Sequence, residues 1–409
     1  MSPTRSPTTF VGTALLPGGA LRRALVRAVG GRITLVEPEP TQELVRTLSG
    51  DGIVVRLSAH EVLAPAFVDI HCHGAGGGSA HGDAASLQQM AITLMAHGVG
   101  GFVATTMTAP LAHLCEQANR IARRRAARRP AVGAALAQLL GLHLEGPAIA
   151  PSRSAGHDRS ALLTPGRLEK ALAAAPGDWR AVRVVTLAPE LDGGLQLVRR
   201  LADAGIAASL GHTDADEALM AAAYAAGARS TTHLFNGMPP LHHRSLGPVG
   251  AALAVAPFIE LISDGIHVAD SLLAPVARAI GEDRLVLVSD ALPLAGSRMR
   301  RVSLAGTTAR VQGDRAVDAD GNLAGSRLLL DGMVANAVRR GIALRTALRA
   351  ATENPARLLR LADRGVIAPG AVADLVVLSD RGRLKRVLPA DRGCRPDARG
   401  AQPRSSEDR

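Results

Sequence analysis

Hydrophobic and polar positions follow three rhythms along this chain. Residues 1–8 read as disordered. Residues 9–65 carry short apolar runs broken by turn residues (TALL, RITLVEP, GIVVRLS, EVLAP), the rhythm of β-strands. From about Phe67, short apolar runs alternate with long Ala/Leu/Arg stretches of helical period. Eight runs have strand character: FVDIHCH, GFVATTM, LLGLHLEG, VRVVTLAPE, AASLGHT, STTHLFN, IELISDG and RLVLVSDA. Most precede a helical stretch, as at 161–175, 191–204 and 214–226. Eight repeated β-α units predict an α/β fold, a (β/α)8 TIM-type barrel. After Ala351 the β rhythm returns in RGVIAPGAVADLVVLSD, with Pro369-Gly370 as a turn. The expected organisation is a barrel over 66–358 and a small β-sandwich domain built from both chain ends, 1–65 and 359–392. Residues 297–326 read as a hairpin-rich insertion, and 393–409 as a disordered basic tail.

Composition narrows the function classes. The 409 residues suffice for a barrel with a satellite. At 47% hydrophobic and 20% charged, the chain is globular. Aromatics are only 2%, so the core is built of Ala, Leu and Val, and stacking platforms for single-stranded nucleic acid are disfavoured. The net charge of +11 is concentrated, with six arginines in 120–129 and nine Lys/Arg against four Asp/Glu in 381–409. That is the pattern of a solvated helix face and a tail, and no motif for reading nucleic acid accompanies it. Cys72, Cys115 and Cys394 lie far apart without CxxC pairing, which fits a reducing cytoplasm. No apolar run approaches the ~20 residues of a membrane span. Pro17-Gly18-Gly19 interrupt the start, so no signal peptide is read. Neither nucleic acid nor membrane is an expected partner.

The chemistry lies at the ends of the strand runs, which close on His71 and His73, Glu145, His212, His233 and Asp290. In a (β/α)8 barrel these ends share one mouth, and sites sit there. Imidazole and carboxylate together suit Zn²⁺ or Fe²⁺. His71 and His73 alternate along a strand, so both point the same way. A carboxylate inside an apolar strand, as Glu145 is, costs too much unless paired or coordinated. His212 or His233 alone reads as a satisfied core histidine; two at successive strand ends beside Glu145 read as ligands. The alternative for Asp290 is a helix N-cap. The Gly74–Gly78 cluster lacks the order of a phosphate loop and instead lets backbone pass close to the centre.

These pieces, together with TLAPE, GHTDAD, THLFNGM, SDGIHV, LAGS, NPA and ADLVVL, resemble the amidohydrolase superfamily. Within it they resemble the N-acetylglucosamine-6-phosphate deacetylase family, over about residues 65–380. HLEGP, THLFN and DGIHV in this order carry the resemblance; HxH and ADLVVL alone would indicate only the superfamily. The resemblance implies metal-dependent hydrolysis of a phosphorylated N-acetyl amino sugar to acetate and the free amino-sugar phosphate. It implies Glu145, His212 and His233 as main metal ligands, with His71 and His73 serving members that hold a second ion, so one or two Zn or Fe per chain. It implies Asp290 as the catalytic residue and Arg244 on the phosphate. Substrate contacts are implied at Gly156, His157, Asn236, Gly237, Asp264, His267, Leu323, Ala324 and Gly325. A homodimer is implied too, with some phosphate contacts crossing the interface. Alternatives are the galactosamine epimer, another amide within the superfamily, or a scaffold that keeps the barrel without chemistry. Pro65-Ala66, Pro239-Pro240 and His242-His243 depart from the family pattern.

Overall fold

The computed structural model describes residues 6–50, 52–126, 135–174 and 179–390. Eight parallel strands follow one another around a sheet: Phe67–Cys72, Val99–Thr106, Gln138–Glu145, Val182–Leu187, Ala207–Leu210, Ser230–Thr231, Phe258–Leu261 and Leu285–Leu287. The ring closes beyond the last strand. Cys72 bridges Ala291 in parallel register, the Asp290 N–H donates to His71 O at 2.9 Å, and the His73 N–H donates to Ala291 O at 2.9 Å. All eight strand runs read from the sequence are found. Phe67–Cys72 and Val99–Thr106 expose no residue. Their apolar runs lack alternation because one face lines the barrel and the other is covered by helices.

The helices follow their caps. Asp83 accepts from Ser86 N to open Ala84–Ala96, and Asp216 accepts from Leu219 N to open Glu217–Ala225. The stretch expected over 161–175 is helical over Pro165–Ala174, where proline, with no N–H to lose, begins the first turn. The other two are found as Gly194–Asp203 and Glu217–Ala225.

The sandwich expected from both chain ends takes the form of one seven-stranded sheet curled over its own core. Its order is Leu384–Leu388, Leu375–Ser379, Glu61–Pro65, Thr8–Leu16, Ala20–Val29, Arg32–Pro38, with Ile53–Arg56 also paired to Thr8–Leu16. The curl brings the far edge back, so that the Ile33 N–H donates to Ala371 O at 2.8 Å. Phe10, Val26, Ile33, Leu63, Leu375 and Val377 fill the interior. This sheet meets the barrel at the amino ends of its strands, where the Ala66 N–H donates to Asp374 O at 2.8 Å.

The hairpin insertion is a three-stranded antiparallel sheet, Arg301–Leu304, Thr307–Gln312 and Arg315–Val317. Its Leu304, Ala309 and Ala316 pack on Met107, Leu292 and Leu294 beside the carboxyl mouth. The tail expected over 393–409 lies outside the described residues. Among the described residues, no helix is long and apolar enough to cross a membrane.

Candidate active site

Six side chains from five strand ends converge at the carboxyl mouth. Glu145 ends its strand, and its Oε1 stands 2.9 Å from His233 Nε2, 3.2 Å from His212 Nε2 and 3.3 Å from His71 Nε2. Its Oε2 stands 3.2 Å from His73 Nε2. Asp290 Oδ1 lies 3.1 Å from His73 Nε2 and 3.5 Å from His71 Nε2. All six residues are buried. Three of them sit in the left-handed backbone region, His212 at φ 49°, His233 at 27° and Asp290 at 47°. Side-chain-bearing residues pay roughly 1–3 kcal/mol each for such conformations and persist in them only where the surrounding structure over-determines them, which happens most often at functional sites.

In three of the four rings the far side fixes the near side. His73 Nδ1 donates to Thr105 O at 3.1 Å, and His212 Nδ1 to Arg153 O at 2.7 Å. His71 Nδ1 donates to Glu260 Oε2 at 3.1 Å. A neutral imidazole has one N–H, so in all three the Nε2 lone pair faces the carboxylates. Lone pairs converging on carboxylate oxygens at about 3 Å require positive charge between them. Three overlapping groups could hold an ion: His71, Glu145 and His233; His71, His73 and Asp290; Glu145, His157 and His212. His71 Nε2 is buried without a hydrogen-bond partner among the described residues. This is the donor set and second-sphere pattern of a divalent-metal centre.

His157 differs. Its Nδ1 accepts from the Thr108 N–H at 3.2 Å, so its proton sits on Nε2, 3.6 Å from Glu145 Oε2. Burial, then the facing His212, lowers its pKa to about 3 and keeps it neutral. It is a hydrogen-bond donor at the rim of the cluster. Burial raises the Asp290 carboxyl, but positive charge in front of it, where His71 and His73 face it, outweighs burial and holds it below the usual carboxylate range, in the ionised, proton-accepting form.

The other residues singled out in the sequence divide into two groups. Most surround the cluster. Gly237, at φ 63°, packs flat on His212, where a Cβ would stand 2.9 Å from Nδ1. Asn236 Nδ2 donates to the main chain of His233 and Leu234. Gly156, at φ 81°, precedes His157. Asp264 Oδ2 accepts from His267 Nδ1 at 2.8 Å; burial lowers the His267 pKa, and this partner outweighs it and raises it. Leu323 bridges Val317, the Ala324 N–H donates to Ala316 O, and a Cβ on Gly325 would stand 2.9 Å from Asp290 O. The 323–325 segment thus ties the hairpin insertion to Asp290. Arg244 is the exception. It is exposed on the loop between Met238 and Gly247, and its only described bond runs from its N–H to His242 Nδ1.

Three buried residues beneath the cluster were not singled out from the sequence. Glu260 holds His71, and Asp69 Oδ1 accepts from the N–H groups of His71 and Ser289, both at 3.3 Å. His143 Nε2 bonds Thr186 Oγ1 at 2.8 Å, and its ring meets His71 edge-on. The signal was present: Asp69 and Glu260 are carboxylates inside apolar strands, as Glu145 is.

Comparison with known proteins agrees with this geometry. Residues 62–395 match the amidohydrolase family model. An N-acetylglucosamine-6-phosphate deacetylase of Bacillus subtilis is 36% identical over 80% of this chain and 82% of its own length. An N-acetylgalactosamine-6-phosphate deacetylase of Escherichia coli O157:H7 is 34% identical over 86% of this chain and 90% of its own. Among solved structures, a mutant N-acetyl-D-glucosamine-6-phosphate deacetylase from Mycobacterium smegmatis, in complex with N-acetyl-D-glucosamine-6-phosphate, superposes with a TM-score of 0.83 at 30% identity. It covers 95% of this chain and 98% of that one.

Proposed function

The chain belongs to the amidohydrolase family, and from that premise we propose that it hydrolyses the acetamide of N-acetyl-D-glucosamine 6-phosphate, yielding acetate and D-glucosamine 6-phosphate. The observation that carries this reading is the single Glu145 oxygen facing three imidazole Nε2 atoms within 3.3 Å, with Asp290 across the same mouth.

Glu145, His212 and His233 would hold one divalent ion, and His71 and His73 with Asp290 have the donors for a second. Zinc and ferrous iron both suit the set. A bound ion supplies Lewis acidity toward the acetamide carbonyl and lowers the pKa of the attacking water. The protein's own groups do the rest. Asp290 takes the proton of the attacking water and returns it to the departing amine. His267, raised by Asp264, favours the doubly protonated ring and donates from Nε2 to the developing oxyanion or a sugar oxygen. His157 donates from Nε2 to the substrate. Asn236, Gly237 and the 323–325 segment frame the sugar. Arg244 reaches phosphate across a homodimer interface, which accounts for its exposure in one chain.

The barrel of 66–358 is the catalytic unit in this reading, and the chain-end sheet supports it. A cytoplasmic setting suits a centre with the free thiol of Cys72 between two ligand histidines. The galactosamine epimer is the second reading, favoured by the Escherichia coli relative. The test is acetate release from both epimers by protein purified without chelator, with bound metal measured per chain. Release from the gluco epimer with metal bound supports the proposal. Release from the galacto epimer alone replaces it with the second reading, and metal without release from either sends the chemistry to another amide.

A further inference from the structure

We propose that Glu260 is a positioning residue for the metal centre, one carboxylate that orders both halves of it. The inference rests on reading the cluster as a metal site. Glu260 stands in the strand Phe258–Leu261 and is fully buried. Its Oε2 accepts from His71 Nδ1 at 3.1 Å and from the His233 N–H at 3.3 Å. Its Oε1 has no partner among the described residues, and no guanidinium or ammonium pairs with it there.

A buried carboxylate with so few partners is costly, several kcal/mol by general experience. The compensation on hand is what Glu260 does to its two neighbours. Toward His71 it fixes the tautomer, because an acceptor at Nδ1 forces the proton there and leaves the Nε2 lone pair facing Glu145 and Asp290. His73 and His212 receive the same service from neutral main-chain carbonyls. His71 alone receives it from a carboxylate, and a charged partner makes the opposite nitrogen a stronger donor to metal. Toward His233 the contact is to the main chain. His233 sits at φ 27°, and its Nδ1 has no partner among the described residues. The bond from its N–H to Glu260 therefore anchors the unusual backbone that turns this ligand toward Glu145. His71 belongs to the HxH pair and His233 to the main ligand set, so one oxygen atom spans both.

The test is Zn²⁺ binding by chelator-stripped protein, measured by competition with a chromophoric chelator, for wild type, H71A, E260L and E260Q. Melting of the metal-free proteins is followed alongside. E260L is expected to lose about 10- to 100-fold in affinity for the Zn²⁺ event that H71A removes, beyond any change in melting. E260Q keeps an acceptor for Nδ1–H and is expected to lose about tenfold, the low end of that range. Folded E260L with wild-type affinity and stoichiometry would overturn the proposal. If E260L does not fold, E260Q decides, because unchanged affinity there overturns it equally. A wild type that binds no Zn²⁺ would instead fail the metal-centre reading itself.

Discussion

At the amino end of the barrel the buried carboxylate of Asp374 has a full set of partners. Arg364 Nη1 stands 3.1 Å from Oδ2, and the Ala390 N–H donates to Oδ1 at 2.8 Å. At the carboxyl mouth the buried polar atoms are left short. Asp69 Oδ2, His71 Nε2, His233 Nδ1 and Glu260 Oε1 have no hydrogen-bond partner among the described residues, and three residues of the cluster, His212, His233 and Asp290, sit at positive φ. Native interiors satisfy nearly all buried polar groups, and four of the seven unpartnered buried side-chain atoms among the described residues lie around this one site, which calls for a reason. The amino end holds the barrel together with charge that is already neutralised. The mouth leaves charge and lone pairs open, which is what the proposed ion and substrate would use, and broken local rules are expected at functional sites.

The sharpest way to break this contrast is to alter one buried carboxylate at each end. Asp290→Asn removes the proton acceptor while keeping shape, and turnover of the sugar phosphate is expected to fall about 10²- to 10⁴-fold. Melting temperature, and the ion that Glu145, His212 and His233 would hold, should stay near wild type. Turnover at the wild-type rate would remove Asp290 from the chemistry. Asp374→Ala does the reverse, leaving Arg364 buried without its counter-charge, which costs about 3–5 kcal/mol. Urea unfolding should register that loss, while kcat of the folded fraction stays unchanged. An Asp374→Ala protein that lost turnover but not stability would erase the distinction between the two ends.

The same contrast explains what could be read in the sequence. The eight strands were legible because a strand covered on both faces must be an unbroken apolar run. The residues of the cluster were legible because His and Glu at the ends of such runs have no structural excuse. Asp69 and Glu260 were hidden by position, since they fall inside runs whose ends drew attention. The curl of the chain-end sheet was hidden for another reason. It depends on pairing Glu61–Pro65 with Leu375–Ser379, a contact between chain ends that no local pattern encodes. Arg244 shows a further limit, because spacing from His233 says nothing about which way an exposed loop points.

Arg244 belongs to neither end, and it tests whether the mouth is complete in one chain. Arg244→Ala is expected to raise KM for the phosphorylated sugar about tenfold, toward the low end of the ~1.5–3 kcal/mol of a hydrogen bond to a charged group. N-acetylglucosamine without phosphate should be unaffected. Equal losses on both sugars would take Arg244 off the phosphate.

The smallest effect comes from the ring of helices. His97 caps the carboxyl end of Ala84–Ala96, and its Nδ1 stands 2.9 Å from Asp331 Oδ2 in the first turn of Leu330–Arg339. The pair joins the first barrel helix to the last long one, as the Asp290–His71 main-chain bond joins the last strand region to the first. The hydrogen bond that His97 donates to Asp331 outweighs burial and raises the His97 pKa above 6.5. The folded state therefore holds this proton more tightly than the unfolded chain. The stabilisation is complete below pH 6.5 and is lost as pH rises through the raised folded value. The His97 side chain is 39% exposed, so solvent screening limits the whole effect to below ~1 kcal/mol. Unfolding free energies of wild type and Asp331→Asn should differ most in mild acid and converge as pH rises past that value. A gap independent of pH would mean that the two helices are joined by packing alone, and that the closure of the helical ring, unlike the mouth it surrounds, carries no charge that matters.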